Sequence, residues 1–404
     1  MFDVVCVGSA TQDVFIKSDL SKIIRVSDVL SEKEFLSYDY GSKVSIEHIE
    51  FLTGGGASNT AVSFARLGLK AAAVLKVSDG DEAGARVVCE LESEGVDTRW
   101  VASSRSRRTG YSVILVSYEG DRTALVFRGA NNTLDESDVD WDFLDRTRWL
   151  YMSSLSGRSA QMAQAIARRA REKGVKLAFN PGSTQLKTRI RGLAPILENT
   201  EVLILNRREA ETLTGAAATR RYIDSRACDL CAKCVEACRE GIFKEVPGRI
   251  EVRGAELCRR CGDCLAACPN DAVLIEPWTH NMFDIFDALR GTGVRTAVIT
   301  DGKAGSQAFD GEKVYYFPSY TAPTVDTLGA GDAFGSGFLA GLIKSGDVAE
   351  ALKLGSANAS SVVRYFGAKP GLMTAEEARD LISERDSEGV YYVRETPLAE
   401  GVAK

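Results

Sequence analysis

The sequence predicts an α/β fold around a parallel sheet, and three observations predict it. Apolar strands alternate with amphipathic helices along most of the 404 residues. Glycine-rich turns follow several of these strands, at the carboxyl ends where open α/β sheets hold their ligands. The alternation is broken once, over about residues 220–276, by a segment holding eight of the ten cysteines.

The opening "DVVCVGSATQDVFI" reads as one continuous apolar strand running into a small-residue turn. "LTGGGASNTAVSFARLGL" is a glycine loop entering a helix, with apolar Ala61, Phe64, Ala65 and Leu67 and a stop at Gly68. "KAAAVLKVSD" reads as a strand and "DEAGARVVCELESEGV" as a helix, while "YSVILVS" and "TALVF" form a hairpin across "YEGDR". "WLYMSS", "KLAFNPG" and "VLILN" are further strands, and "SAQMAQAIARRAREKG" is an amphipathic helix with a glycine end. Beyond the cysteines, "FDIFDALRGTG" is a helix and "TAVITDG" a strand. "GAGDAFGSGFLAGLIKSG" and "AEALKLGSANASSVVRYFG" are the closing helices. The hairpin and the strand-like stretch around 33–50 do not fit the alternation, and predict a small β flap over one edge of the sheet.

Composition bounds the function. A net charge of −6 offers nothing global to nucleic acid or an anionic membrane, and 45% hydrophobic with 26% charged residues is ordinary for a globular chain. No apolar run reaches the roughly 18–20 residues of a membrane span. "MFDVVCVGSA" lacks a basic n-region and reads as a buried strand, so cytoplasm is the expected compartment. Cys6 and Cys89 are isolated and read as small buried hydrophobes. The clustered eight argue for metal over disulfides in such a compartment.

"DTLGAGDAFGSGF" (326–338) carries the most chemistry. Its glycines free the backbone N–H groups of Gly329, Ala330, Gly331 and Asp332 to converge on an anion at a helix start. The Asp332 carboxylate beside them is placed to take a proton from an attacking hydroxyl. The plainer alternative is a glycine-rich helix start with an exposed first-turn acid.

GAGDAF preceded by Asp326-Thr327 resembles the C-terminal signature of the ribokinase (PfkB) family of sugar and nucleoside kinases, and "GGGASNTAVSFARLG" (54–68) is similar to its N-terminal signature. "NRREAETLTG" resembles the Asn-x-x-Glu motif, "TDGKAG" (300–305) the nucleotide loop, and "RGAN" and "NPG" have counterparts, all in order. The resemblance covers residues 1–219 and 277–404. It implies a three-layer α/β/α kinase domain with a β lid at about 14–50 and 109–130, and ATP-dependent phosphorylation of a sugar or nucleoside hydroxyl. Asp332 becomes the catalytic base, with Gly329, Ala330 and Gly331 in the anion hole. Asp13, Gly54, Gly55, Gly56 and Asn59 would hold the acceptor. Asn206 and Glu209 would organise Mg²⁺, while Thr300, Gly302, Gly305 and Asn358 line the nucleotide pocket. Arg128 and Asn131 are candidate acceptor contacts, although Arg128 equally suits a pairing with a lid carboxylate. "YFGAKPGL" (365–372), with the loop around Asp326, matches where relatives bind a monovalent cation, K⁺. Relatives also pair into homodimers through the lid. Singly, Asn59 reads as a capping residue, Asp13 as a turn former and Glu209 as a solvated acid; the ordered set carries the kinase reading.

The cysteines fall in two runs, Cys228, Cys231, Cys234, Cys238 and Cys258, Cys261, Cys264, Cys268, each with two, two and three residues between. This is the bacterial ferredoxin spacing twice, in which the fourth cysteine of each run ligates the other cluster. The resemblance implies an inserted α+β ferredoxin-like domain, residues 220–276, with two [4Fe–4S] clusters. Their ligand sets would be Cys228, Cys231, Cys234, Cys268 and Cys258, Cys261, Cys264, Cys238. Structural zinc and degenerate, metal-free cysteines are the alternatives, although zinc requires neither the third step nor the Cys-Pro ending. Kinase chemistry moves no electrons. Three roles therefore stand: a redox sensor acting on the adjoining Glu209 segment, an electron-transfer site for a redox partner protein, or a structural insert.

Overall fold

A computed structural model describes residues 1–18, 20–27, 32–117, 122–215, 219–239, 241–252, 262–277 and 282–397. The first half of the chain runs β1 (Phe2–Val7), β2 (Thr11–Lys17), β3 (Lys22–Ser27), β4 (Glu32–Ser37), β5 (His48–Gly54), α1 (Gly56–Arg66), β6 (Ala71–Val74), β7 (Lys76–Ser78), α2 (Glu82–Ser93), β8 (Ala102–Ser104), β9 (Gly110–Val116), β10 (Arg122–Phe127) and β11 (Thr147–Met152). It continues through α3 (Met162–Glu172), β12 (Lys176–Phe179), α4 (Ser183–Leu186), α5 (Arg189–Leu197), β13 (Val202–Asn206) and α6 (Arg207–Thr214). The interrupting segment holds β14 (Thr219–Ile223), α7 (Lys233–Ala237), β15 (Phe243–Val246), β16 (Arg249–Val252), α8 (Asp263–Ala267) and β17 (Val273–Pro277). The chain resumes with α9 (Met282–Leu289), β18 (Thr296–Thr300), β19 (Ser306–Phe309), β20 (Lys313–Phe317), α10 (Ala330–Ser345), α11 (Val348–Val362), α12 (Ala375–Ser387) and β21 (Arg394–Pro397).

The main sheet has nine strands in the order β21-β20-β19-β18-β13-β12-β11-β1-β6. From β6 to β18 every pairing is parallel, and β19, β20 and β21 add antiparallel strands at one edge. Strand residues alternate between the two faces, as the pleat requires. Val5, Val7, Leu150, Met152, Leu203 and Leu205 bury on one side with α3, α5, α6 and α9. Val4, Cys6, Tyr151, Val202 and Ile204 bury on the other with α1, α10 and α11. That sheet between two helical layers is the predicted α/β/α architecture.

The structure divides the opening stretch that reads as one strand. Gly8–Ala10 break it, so that β1 enters the main sheet while β2 joins a separate four-stranded sheet, β10-β9-β2-β5. The cause is tertiary. Asn131 donates Nδ2–H to the Ala10 carbonyl at 2.8 Å and its Oδ1 accepts the Ala10 N–H at 3.0 Å, fixing the turn with a residue 121 positions away. The predicted hairpin is present as β9–β10 and the 33–50 stretch supplies β4 and β5, so the flap is a sheet with an added β3–β4 hairpin. The closing helices are followed by α12 and β21, which the sequence reading did not anticipate. Cys89 is exposed, correcting its reading as buried, because α2 buries Gly84, Val87 and Leu91 and so turns residue 89 outward.

The cysteine segment leaves and re-enters through a two-stranded ribbon, β14 with β17, paired from Thr219↔Pro277 to Ile223↔Val273. Inside it, β15 and β16 form a hairpin over Pro247-Gly248. Its two halves repeat. Ala232 and Gly262 cap α7 and α8 in left-handed conformation (φ 56° and 86°), Cys238 and Cys268 end those helices, and Gly241 and Asp271 are again left-handed.

Candidate active site

Two helix starts meet at the carboxyl ends of the central strands. The first, α1, is capped by Gly55, and its donors are already used: Gly56 N–H donates to Ser9 Oγ at 3.2 Å, and Ala57 and Ser58 N–H to the Ser9 carbonyl at 3.1 and 3.4 Å. The second, α10, is capped by Gly329 in left-handed conformation (φ 77°), and no side chain caps it. A Cβ at Gly329 would lie 2.4 Å from the Ala368 Cβ, so only glycine brings the loop this close. Ala330 N–H makes a long 3.3 Å bond to the Thr327 carbonyl, and Gly331 is exposed toward the cleft. In a helix's first turn such N–H groups lack helical acceptors, which leaves α10 the anion-binding start.

Asp332 lies in that first turn. Its Oδ2 accepts the Asn59 Nδ2–H at 2.8 Å, joining signatures 273 residues apart. Burial pushes its pKa up to about 6, Asn59 opposes the shift, and the charges of Glu209 and Asp13 add to it. Asp13 is 7% exposed, and burial raises its pKa against hydrogen bonds from Ser112 and Thr11. Asp13 Oδ1 and Asn59 Oδ1 are buried without a protein partner. Two shielded acceptors left open beside the Asp332 carboxylate suit the hydroxyls of a polar ligand. Gly54 is there to admit Asp13, since an added Cβ would meet its Oδ2 at 1.9 Å. A Cβ at Gly56 would lie 2.7 Å from Ser153 Oγ and 3.8 Å from Asp332 Oδ1, which places the Gly54–Gly56 turn against the Asp332 carboxylate.

Asn206 and Glu209 form a capping box on α6: Asn206 Oδ1 accepts the Glu209 N–H at 2.9 Å and Glu209 Oε2 accepts the Asn206 N–H at 2.8 Å. Burial raises the Glu209 pKa. Asp13, Glu209 and Asp332 thus gather negative charge around one cleft, and burial raises the pKa of each. A cavity of about 430 Å³ runs from Thr300, Gly302 and Gly305 to Ala330, Gly331 and Phe334. It connects the glycine loop after β18 to the anion site. Arg207 braces that loop by pairing with Asp301 at 2.7 Å.

Two expected ligands turn elsewhere, and a third makes no described ion pair. Asn358 is 0% exposed and outside this cavity. Its Nδ2–H groups go to Ser63 Oγ and the Ala333 carbonyl at 3.0 and 2.8 Å, and its Oδ1 accepts the Met373 N–H at 3.0 Å. It holds α11 to α10, with its amide groups spent on partners inside the protein. Asn131 likewise spends its amide on Ala10. Arg128 is exposed and, among the described residues, pairs with no carboxylate. Sequence reasoning missed Ser9, Ser153, Lys303, Arg122 and Lys369. Ser9 follows the first strand, where a site residue is expected, and Lys303 lies inside the quoted nucleotide loop; both were legible. Arg122 meets Asp326, and Lys369 comes close enough to act on the Asp13 charge, only through long-range packing.

Fold and site together define a phosphotransferase that acts on a hydroxyl acceptor. The sequence pattern of the pfkB family carbohydrate kinases matches residues 1–238 and 268–375, and that of a 4Fe-4S dicluster domain matches 227–273. The chain belongs to the pfkB family and is an ATP-dependent carbohydrate kinase with a ferredoxin-type segment set into it. It is 25% identical over 317 residues to an uncharacterized sugar kinase of Archaeoglobus fulgidus, covering 77% of this chain and 98% of that one. It is 26% identical over 332 residues to an ATP-dependent ribose-1-phosphate kinase of Halopiger xanaduensis, covering 82% and 87%. The structure of Arabidopsis thaliana ribokinase complexed with ribose and ATP superposes with a TM-score of 0.63 at 19% identity, covering 94% of this chain and 98% of that one, which shows a ribokinase-like fold. Among the described residues no helix is long and apolar enough to cross a membrane.

The cysteine segment fits a cluster. Cys234 and Cys264 are buried with Ile242, Phe243, Ile250 and Val273, and Cys228, Cys238 and Cys268 pack against them. Burial raises the Cys234 thiol, and the charges of Cys228 and Cys268, both in its predicted ligand set, add to the shift. The Ala272 N–H donates to Cys268 Sγ at 3.2 Å, a bond that a ligating thiolate accepts. Left-handed Leu230 and Ala232, costly for non-glycine residues, wrap the backbone around the first run. Cys258 and Cys261 lie outside the described residues.

Proposed function

We propose that the chain transfers the γ-phosphoryl group of ATP to a hydroxyl of a sugar or sugar phosphate, with Asp332 as the base. The observation that carries this is Asp332 itself: a carboxylate with a pKa near 6 at the open start of α10, bonded to Asn59. Asp13 and Asn59 orient the acceptor through their unpartnered oxygens, Asp332 takes the hydroxyl proton, and the N–H groups of Gly331 and Asp332 steady the transferred group. Mg²⁺ would neutralise phosphate charge, with Asn206 and Glu209 as its holders through water. The lid excludes water from the cleft. A nucleoside acceptor is the second substrate class the same site admits. Asp332→Asn should lower kcat by about 10³-fold or more while ATP affinity stays near normal. Substantial remaining turnover would remove Asp332 from the role.

The cysteine segment holds two [4Fe–4S] clusters in this reading. Position supports a sensor: α6 starts at the Asn206–Glu209 box, and four residues separate its end from β14. Equal turnover with clusters reduced, oxidised and removed would leave the segment a structural or electron-transfer unit. The lid supports a homodimer, since Leu125, Phe127 and Phe51 on its two edge strands are 57%, 54% and 48% exposed. A monomer in sedimentation at micromolar concentration would remove that pairing.

A further inference from the structure

The loop that opens the anion site contains a second carboxylate, Asp326, whose side chain is only 4% exposed. Its Oδ1 accepts the Leu328 N–H at 3.0 Å and its Oδ2 the Gly367 N–H at 3.2 Å. An enclosed anion needs a counter-charge, and here one comes from the lid. One Nη of Arg122, on β10, donates to Asp326 Oδ1, and the other to Thr327 Oγ1 at 2.9 Å. The same loop packs on residues 365–372, whose lysine, Lys369, is 3% exposed. The Lys369 ammonium is spent on Thr53 Oγ1, Ser58 Oγ and Glu90 Oε2 at 2.5, 2.7 and 2.9 Å.

The resemblance implies a monovalent cation between Asp326 and residues 365–372, and the residues present do not fit one. Both Asp326 oxygens are engaged, and a guanidinium already supplies the positive charge. We infer that this kinase works without bound K⁺, that Arg122 stands in its place, and that the counter-charge of the phosphate loop therefore arrives with the lid. The inference rests on the kinase reading for its consequence but not for its geometry. With the lid away, Asp326 is a bare anion six residues before Asp332 and opposes phosphate. With the lid down, Arg122 neutralises it, and the α10 amides act on the transferred group undiminished. Arg122 is thus a positioning residue that makes phosphate stabilisation conditional on closure.

Direct titration with Tl⁺, as a K⁺ probe followed by ²⁰⁵Tl NMR, tests the site without needing turnover. Wild type should show no saturable Tl⁺ binding, and Arg122→Gln should acquire it. In kinetics, wild-type kcat should be the same in K⁺ and tetramethylammonium buffers. Arg122→Gln should lose about 10–100-fold in kcat without K⁺, regain part of it with K⁺ or guanidinium, and leak ATP hydrolysis when acceptor is absent. Arg122→Lys keeps the charge and should fall between. Thermal melting and ATP affinity close to wild type show that the variants are folded. Saturable Tl⁺ binding by wild type, turnover stimulated by K⁺, or an Arg122→Gln variant with wild-type kcat overturns the inference. A wild type inactive on every acceptor in every salt overturns the kinase reading, and the Tl⁺ titration still decides this one.

Discussion

The kinase domain and the cysteine segment fold by different means. The kinase sheet is covered on both faces by extensive clusters of buried aliphatic and aromatic side chains. Among the described residues, the segment's buried cluster is Cys234, Ile242, Phe243, Ile250, Cys264 and Val273, and two of those are predicted cluster ligands. Burial stabilises at about 25 cal/mol per Å² of apolar surface, so the first region can fold on burial alone. The second shows a much smaller core among its described residues, so ligation is expected to supply most of its stability. The difference explains how two chemistries coexist in one chain: each region has its own source of stability, and they share a single two-stranded ribbon, β14 with β17.

Removing the clusters breaks the comparison most severely if it is wrong. Anaerobic chelation should open the segment to proteolysis inside 219–277 while the kinase domain melts at its former temperature. A joint shift would show that the two regions fold as one. The next test lies within the kinase core. Asn358→Ala deletes three buried hydrogen bonds, and should cost about 3 kcal/mol in denaturant unfolding. Its cost should be unchanged by cluster removal.

A subtler effect concerns pH. The folded Asp332 pKa of about 6 stands above its ordinary 3.8, so between those values the native state binds more protons than the unfolded chain. Stability contributed by this group is therefore lost as pH rises toward 6 and stays lost above. Asp332→Asn should raise the melting temperature relative to wild type at pH 8 and not at pH 4. The rate should fall as pH drops below about 6, where Asp332 is protonated. Smallest is Arg128→Ala. An exposed arginine that meets no described carboxylate should change turnover on a neutral sugar by less than about twofold. A large rise in KM confined to an acidic or phosphorylated acceptor would return it to the site.

Much of this was legible in the sequence because it is local. The α10 loop, the α1 glycine turn and the α6 capping box are contiguous motifs, and each glycine or acid stands where backbone geometry needs it. The misread residues are those whose role depends on a distant partner. Asn358 and Asn131 look like ligands by position, and only packing shows their amides turned to Ser63, Ala333, Met373 and Ala10. The opening apolar stretch looks continuous because β1 and β2 are both buried, and periodicity does not tell one buried strand from two in different sheets.

What the sequence by itself determined is the α/β alternation, the glycine loop that carries Asp332 and the two cysteine runs. Each follows from spacing along a few residues, where backbone dihedrals and hydrogen-bonding patterns are set by near neighbours. Only the tertiary structure decided that Asp13, Asn59 and Asp332 share one cleft, that Ser9 closes one helix start and leaves the other open, and that Arg122 of the lid meets Asp326 across 204 positions. Burial raises the Asp332 pKa, and a counter-charge is demanded at Asp326, only once the chain has removed water from both.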